Sequence, residues 1–262
     1  MRKNELKQLL ASGEHGINGW VAIPNAFAVE QYAAQGFDSV TVDLQHGSGD
    51  VGGLIPLLQA IALSGATSLV RVPWNDPADV MRVLDAGAYG VICPMVNSAA
   101  EARALVAAGR YPPLGGRSAG PFRASHFAGA DYVAAANDEI LLLAMIETRE
   151  AVANLDEILA VEGLDGVYVG PTDLALSLGK PPTLAPDDTE VLAAMAAIAA
   201  GARGRGLIAG IHTDGPDTAR KRYAQGFHFC TLMNDVRVLV DATRRMVAEL
   251  RGAAPTEASR SY

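Results

Sequence analysis

Cysteine, lysine and aromatic residues are scarce in this chain of 262 residues, and each scarcity excludes something. There are two cysteines, Cys93 and Cys230, both inside apolar runs. They read as buried thiols of a reducing cytoplasm, not as a disulfide framework or a metal pair. No run of about 18 apolar residues occurs, so no membrane span is expected. The segment Met1–Leu10 is charged and has no apolar stretch of the secretory type, so the expected location is the cytoplasm. Lys+Arg 21 against Asp+Glu 29 leaves a net charge of −8, which disfavours a nucleic-acid or anionic-membrane partner. Four lysines are present (Lys3, Lys7, Lys180 and Lys221), none within or at the end of a candidate strand. A Schiff-base mechanism wants a desolvated lysine in its pocket, so imine chemistry is disfavoured.

What is abundant is a repeated alternation. Eight short apolar runs read as strands: Trp20–Ile23, Ser39–Val42, Ser68–Val72, Gly90–Pro94, Ile140–Ile146, Gly166–Val169, Leu207–Ile211 and Phe227–Leu232. Near-continuous apolar runs suit parallel strands covered on both faces. Between them lie amphipathic helical stretches: 27–35, 54–63, 77–86, 99–108, 151–161, 187–203, 217–225 and 236–250. Several of these stop at a glycine before the next strand, as at Gly36, Gly87 and Gly226, where a left-handed helix end suits glycine. The pattern predicts an α/β fold of the (β/α)8 TIM-barrel type, one domain over 1–262 with a short N-terminal helix and a frayed tail from about 252. An open doubly wound sheet is the competing architecture. It wants a Gly-rich turn after the first strand, and Pro24-Asn25-Ala26-Phe27 has none. The longest connection, 97–139, holds one predicted helix and a Gly/Pro/Arg-rich stretch, 111–123.

Barrel chemistry gathers at the C-terminal ends of the strands. There the sequence places Asp43 and His46, Arg71, Glu147, Asp173 and His212. Glu147 and Asp173 follow adjacent strands. Two close carboxylates repel unless one is protonated or a divalent cation lies between them. The competing reading is that each caps its following helix. His46 three residues after Asp43 suits a general base whose tautomer a carboxylate sets, or simply a histidine in a polar turn. Arg71 needs either a core acid or a substrate oxyanion. Asp76 before Pro77 reads as a helix cap. His212 is placed at the mouth, and His228 within the last strand as a core residue.

Five segments carry a resemblance: 37–47 (FDSVTVDLQHG), 70–76 (VRVPWND), 90–96 (GVICPMV), 146–151 (IETREA) and 169–174 (VGPTDL). In this order and spacing they resemble the HpcH/HpaI aldolase family of the phosphoenolpyruvate/pyruvate barrel superfamily, over roughly Gly19 to Leu250. The resemblance implies a divalent-metal-dependent aldolase that cleaves or forms 4-hydroxy-2-oxo acids with pyruvate or hydroxypyruvate as nucleophile. It implies that Glu147 and Asp173 bind Mg²⁺, Mn²⁺ or Co²⁺, with no organic cofactor. Arg71 would stabilise the enolate, and His46, oriented by Asp43, would be the acid/base. Thr172 and Asp173 would meet the substrate carboxylate through their backbone, with Gly170, Pro171, Trp20 and His212 completing the substrate contacts. Gly120, Pro121 and Arg123 match a loop motif of the family. It also implies a homo-oligomer, a hexamer built as a trimer of dimers with the last helix on a neighbour. The partners expected are a small 2-oxo acid and an aldehyde. Two positions depart from the family pattern: Gln45 stands where many relatives have Glu, and Met145 where many have Gln. Two competing functions remain open, a citrate-lyase-like or malyl-CoA-type lyase on the same barrel, and a non-catalytic binding barrel.

Overall fold

The computed structural model describes residues 1–252, so the tail expected from about 252 lies almost wholly outside the described residues. The strands are β1 (Gly16–Val21), β2 (Ser39–Asp43), β3 (Thr67–Arg71), β4 (Gly90–Cys93), β5 (Leu141–Ile146), β6 (Gly166–Val169), β7 (Ile208–His212) and β8 (Phe229–Asn234). Each pairs in parallel with the next, and β1 pairs with β8, which closes the barrel. Successive strands are joined through helices, so the strands have apolar neighbours outside as well as inside. That is why their sequences run apolar almost without interruption.

Alternate residues point into the barrel. Its interior holds Trp20, Leu69, Ile92, Leu141, Leu143, Met145, Tyr168 and Phe229. Gly210 makes room for one of them: a Cβ there would lie 2.4 Å from the Phe229 ring. Below this layer the short helix Glu5–Ala11 plugs the N-terminal end with Leu6 and Leu10. The interior is not wholly apolar. Asn18 donates from Nδ2 to Thr231 Oγ1 at 2.7 Å and accepts at Oδ1 from Ser39 (2.8 Å) and Thr41 (3.1 Å). The Tyr168 hydroxyl meets Thr231 Oγ1 at 2.5 Å. All five side chains are buried, so each polar group must be satisfied internally.

Several boundaries differ from the expected ones. β1 begins four residues before Trp20, because Asn18 is paired inside the barrel although it reads as a loop residue. β8 begins after His228, whose Nδ1 accepts the Ala209 N–H at 3.0 Å. The connection 97–139 contains three helices, Ala99–Gly109, Phe122–Ala128 and Tyr132–Glu139, where one was expected. The single helix expected over 151–161 is broken into Arg149–Ala153 and Leu155–Leu159. Asn154 between them points its Nδ2 at the Asn97 carbonyl (2.8 Å). The cap at Asp76 is as expected, its Oδ1 accepting the Ala78 N–H at 2.7 Å, and both cysteines are buried free thiols. Among the described residues no helix is long and apolar enough to cross a membrane.

Candidate active site

The inward alternation explains which side chains reach the mouth. One step above Thr41 is Asp43, above Leu69 is Arg71, above Met145 is Glu147, above Tyr168 is Gly170, and above Gly210 is His212. Strand geometry thus aims residues from five strands at one opening.

Asp43 and Arg71 form a buried two-point ion pair, Nε to Oδ1 at 2.9 Å and Nη2 to Oδ2 at 2.6 Å. Trp20 donates its indole N–H to Asp43 Oδ2 (3.2 Å), and the Arg71 guanidinium lies 4.9 Å from the Trp20 ring centre. The backbone N–H groups of Gln45 and His46 donate to Asp43 Oδ1 at 3.0 and 3.2 Å. Burial pushes the Asp43 carboxyl up, but Arg71 and these donors outweigh it and hold it below the usual carboxylate range. Of the two partners the sequence left open for Arg71, the core acid is present. Asp43, expected to orient the His46 ring, meets His46 at the backbone amide and shapes the turn that carries it. The His46 side chain itself is exposed at the rim.

Glu147 follows β5 and is 2% exposed. Its Oε1 accepts the Met95 N–H at 2.8 Å. Its Oε2 lies over Gly170, where a Cβ would come within 2.5 Å of it, so a side chain there would displace this carboxylate oxygen. Burial, with the charge of Asp173 added, pushes Glu147 up to about 7 against the Met95 N–H and Arg71. Asp173 sits in the first turn of the helix Pro171–Ser177, half-buried. This helix opens at Gly-Pro-Thr-Asp, residues 170–173. Its Gly170 start carries no side-chain cap, and the Thr172 hydroxyl is buried without a protein partner. Among the described residues no three His, Cys, Asp or Glu side chains converge, so a cation here would take two carboxylates and oxygens from elsewhere.

His212 is buried at the end of β7, its ring edge-on to Trp20 at 4.9 Å. Burial, with Arg71 adding to it and Asp43 opposing, pushes it down to about 3. Its surroundings thus favour the neutral imidazole, suited to hydrogen bonding rather than to carrying a proton as a cation.

The structure brings Trp20, Asp43, Arg71, Glu147, Gly170, Pro171, Thr172, Asp173 and His212 to one end of the barrel, with His46 at its rim. It does not bring Arg123 there. That side chain binds the Ala86 carbonyl at 2.5 Å, beside the end of the helix Pro77–Asp85 and so at the opposite face of the barrel. Sequence reasoning missed Met95 and Asn97. The signal available was the Ser98–Glu101 spacing of a capping box: Ser98 Oγ accepts the Glu101 N–H, and the Glu101 carboxylate takes the N–H of Asn97, one residue before the cap, at 2.6 Å.

A parallel barrel whose C-terminal mouth carries a buried carboxylate, an arginine–carboxylate pair and two histidines is an enzyme scaffold with its chemistry in place. The chain belongs to the HpcH/HpaI aldolase/citrate lyase family, whose model it matches over residues 17–242. It is 44% identical over 248 residues to a hydroxypyruvate/pyruvate aldolase of Rhizorhabdus wittichii, covering 95% of this chain and 99% of that one. It is 37% identical over 249 residues to a 4-hydroxy-2-oxo-heptane-1,7-dioate aldolase of Salmonella dublin, with 94% of each covered. Its fold matches a crystal structure of a family protein from Burkholderia cenocepacia J2315 with a TM-score of 0.88 and 31% identity, over 95% of this chain and all of that one.

Proposed function

We propose that this enzyme is a divalent-metal-dependent aldolase that forms or cleaves 4-hydroxy-2-oxo acids, with pyruvate or hydroxypyruvate as the nucleophilic partner. The observation that carries the reading is Glu147: a buried carboxylate pushed up to about 7, with Asp173 as its charged neighbour. Such a pair is costly alone and suits a hard cation, so Mg²⁺, Mn²⁺ or Co²⁺ fits the donor set. Glu147 and Asp173 would hold the ion, which when bound polarises the 2-oxo group of the substrate. Arg71, fixed in direction by Asp43 and Trp20, faces negative charge that develops on the 2-oxo oxygen when a methyl proton leaves. His46 at the rim is the group placed to exchange that proton. Thr172 and the first turn of the helix Pro171–Ser177, with no side-chain cap, offer N–H groups to the substrate carboxylate. Trp20 and His212 wall the pocket.

Lysis of CoA thioesters is disfavoured. It needs free cations for the CoA phosphates, and the arginines of the long 111–123 stretch and of the β5 end have partners: Arg117 is paired with Asp85 (2.7 Å), Arg123 with the Ala86 carbonyl and Arg149 with Glu190 (3.2 Å). A chelator tests the metal reading. EDTA should abolish aldol addition of pyruvate to a panel of aldehydes, and excess Mg²⁺ or Mn²⁺ should restore it. Full activity in EDTA, with a lysine adduct trapped by borohydride, counts against it.

We also propose a cytoplasmic homo-oligomer, a hexamer arranged as a trimer of dimers. The last helix, Asp235–Leu250, supports it: none of its residues is buried, and Val236, Leu239, Val240, Met246, Val247 and Leu250 are exposed on one face, at three-, four- and seven-residue spacing. A stripe of that length on an otherwise acidic chain fits a second copy of this chain. Leu239→Glu with Met246→Glu should yield a smaller species in sedimentation equilibrium, with the barrel's circular dichroism kept. A wild-type protein that sediments as a monomer would refute the assembly.

A further inference from the structure

We infer that Asn97 is a positioning residue for Glu147: one amide side chain ties down both chain segments that flank the Glu147 carboxylate. The inference rests on the metal-dependent reading above.

The first segment is the turn after β4. Met95 there sits at φ 55°, in the left-handed region that residues with a Cβ avoid. In that conformation its N–H points at Glu147 Oε1, at 2.8 Å. A methionine in this region carries a backbone cost that the surrounding structure must offset. Asn97 Nδ2 donates to the Met95 carbonyl at 3.0 Å, two residues along, and closes the turn.

The second segment is the chain after Glu147. The next residue, Thr148, donates its hydroxyl to Asn97 Oδ1. The same hydroxyl accepts the Ala151 N–H at 3.0 Å as the cap of the helix Arg149–Ala153, so its own proton is committed to Asn97. The amide therefore uses its donor on one flank of Glu147 and its acceptor on the other. Its backbone is held in turn: the N–H donates to Glu101 Oε2 (2.6 Å) and the carbonyl accepts from Asn154 Nδ2 (2.8 Å).

Only an amide does both jobs. Aspartate lacks the donor and adds a negative charge beside Glu101 and Glu147. Leucine has the shape and neither bond. The role is outer-sphere: Asn97 fixes the Met95 N–H on one Glu147 oxygen and leaves the other, over Gly170, directed at the mouth. Partners of this kind tune metal affinity by roughly 10–100-fold.

The test is binding of Mn²⁺ itself, followed by the loss of free-ion EPR signal on titration, with near-ultraviolet circular dichroism as the fold control. Asn97→Ala should weaken Mn²⁺ binding by roughly 10–100-fold. Thr148→Val should also weaken it, and Thr148→Ser, which keeps the hydroxyl, should bind as wild type does. The serine–valine contrast carries the test if Asn97→Ala does not fold. Folded Asn97→Ala or Thr148→Val with wild-type Mn²⁺ affinity would overturn the role while leaving the metal reading intact. Wild-type protein that binds no Mn²⁺ would overturn both.

Discussion

Replacing Arg71 by alanine should sharply slow removal of the pyruvate methyl proton. The expected fall in methyl exchange into D₂O is about 10²–10³, the usual worth of one aligned donor at a developing oxyanion. Exchange needs no aldehyde, so it isolates this step. The same change has a structural cost that must be separated from the chemical one. Arg71 and Asp43 are an ion pair with side-chain exposures of 1% and 2%. Removing one member of such a pair typically costs about 3–5 kcal/mol, because the other is left charged without a partner. Burial then acts on Asp43 without its main opponent, and its pKa rises. The double variant Arg71→Ala with Asp43→Asn should recover much of the lost melting temperature and none of the exchange. A folded Arg71→Ala that exchanges within about twofold of wild type would assign the guanidinium to structure alone; the threshold is set well below the worth of one donor.

His46→Ala should lower aldol turnover by about 10²–10⁴, the range for a lost acid/base group. Stability should stay within about 0.5 kcal/mol of wild type, because the side chain is exposed at the rim. Pyruvate binding should persist, since Arg71, Glu147 and Asp173 are untouched. His212→Ala is the informative comparison. His212 is buried against Trp20, so its removal opens a hole in the pocket wall. It should lower stability and substrate affinity more than it slows proton transfer. If a folded His212→Ala loses turnover and His46→Ala keeps it, the proton carrier lies on β7.

Much of the site was readable because barrel geometry converts a strand end into a place at the mouth. Asp43, Arg71, Glu147 and His212 each end or follow an apolar run, and inward alternation puts them together. What was hidden depends on backbone rather than on side-chain type. Met95 acts through an N–H, and nothing about a methionine after Pro94 announces φ 55°. Asn97 looks like an ordinary residue before a capped helix. The role of Asp43 was half legible: its place was readable, but whether it turns toward Arg71 or the His46 ring depends on the register that sets Asp43 opposite Arg71. The fold shows the same division. Continuous apolar runs marked the eight strands of the barrel, whereas the start of β1 was obscured by a polar residue facing inward. The helices of 122–128 and 132–139 were obscured by the glycines and prolines just before them.

The polar layer beneath the mouth bears on how the barrel closes. β1 and β8 are the ends of the sheet, and their pairing joins segments more than 200 residues apart, which makes it the most expensive contact in chain entropy. An all-apolar seam would tolerate a slip along the strand, since one buried aliphatic side chain replaces another at little cost. The Asn18–Thr231 bond does not tolerate it. A shift of β8 by one residue turns Thr231 outward, and a shift by two leaves the Asn18 Nδ2 group and the Tyr168 hydroxyl buried with their shared partner out of reach. The seam is thereby keyed, so that the last strand accepts a single alignment, and the mouth residues above it inherit their relative heights from that key.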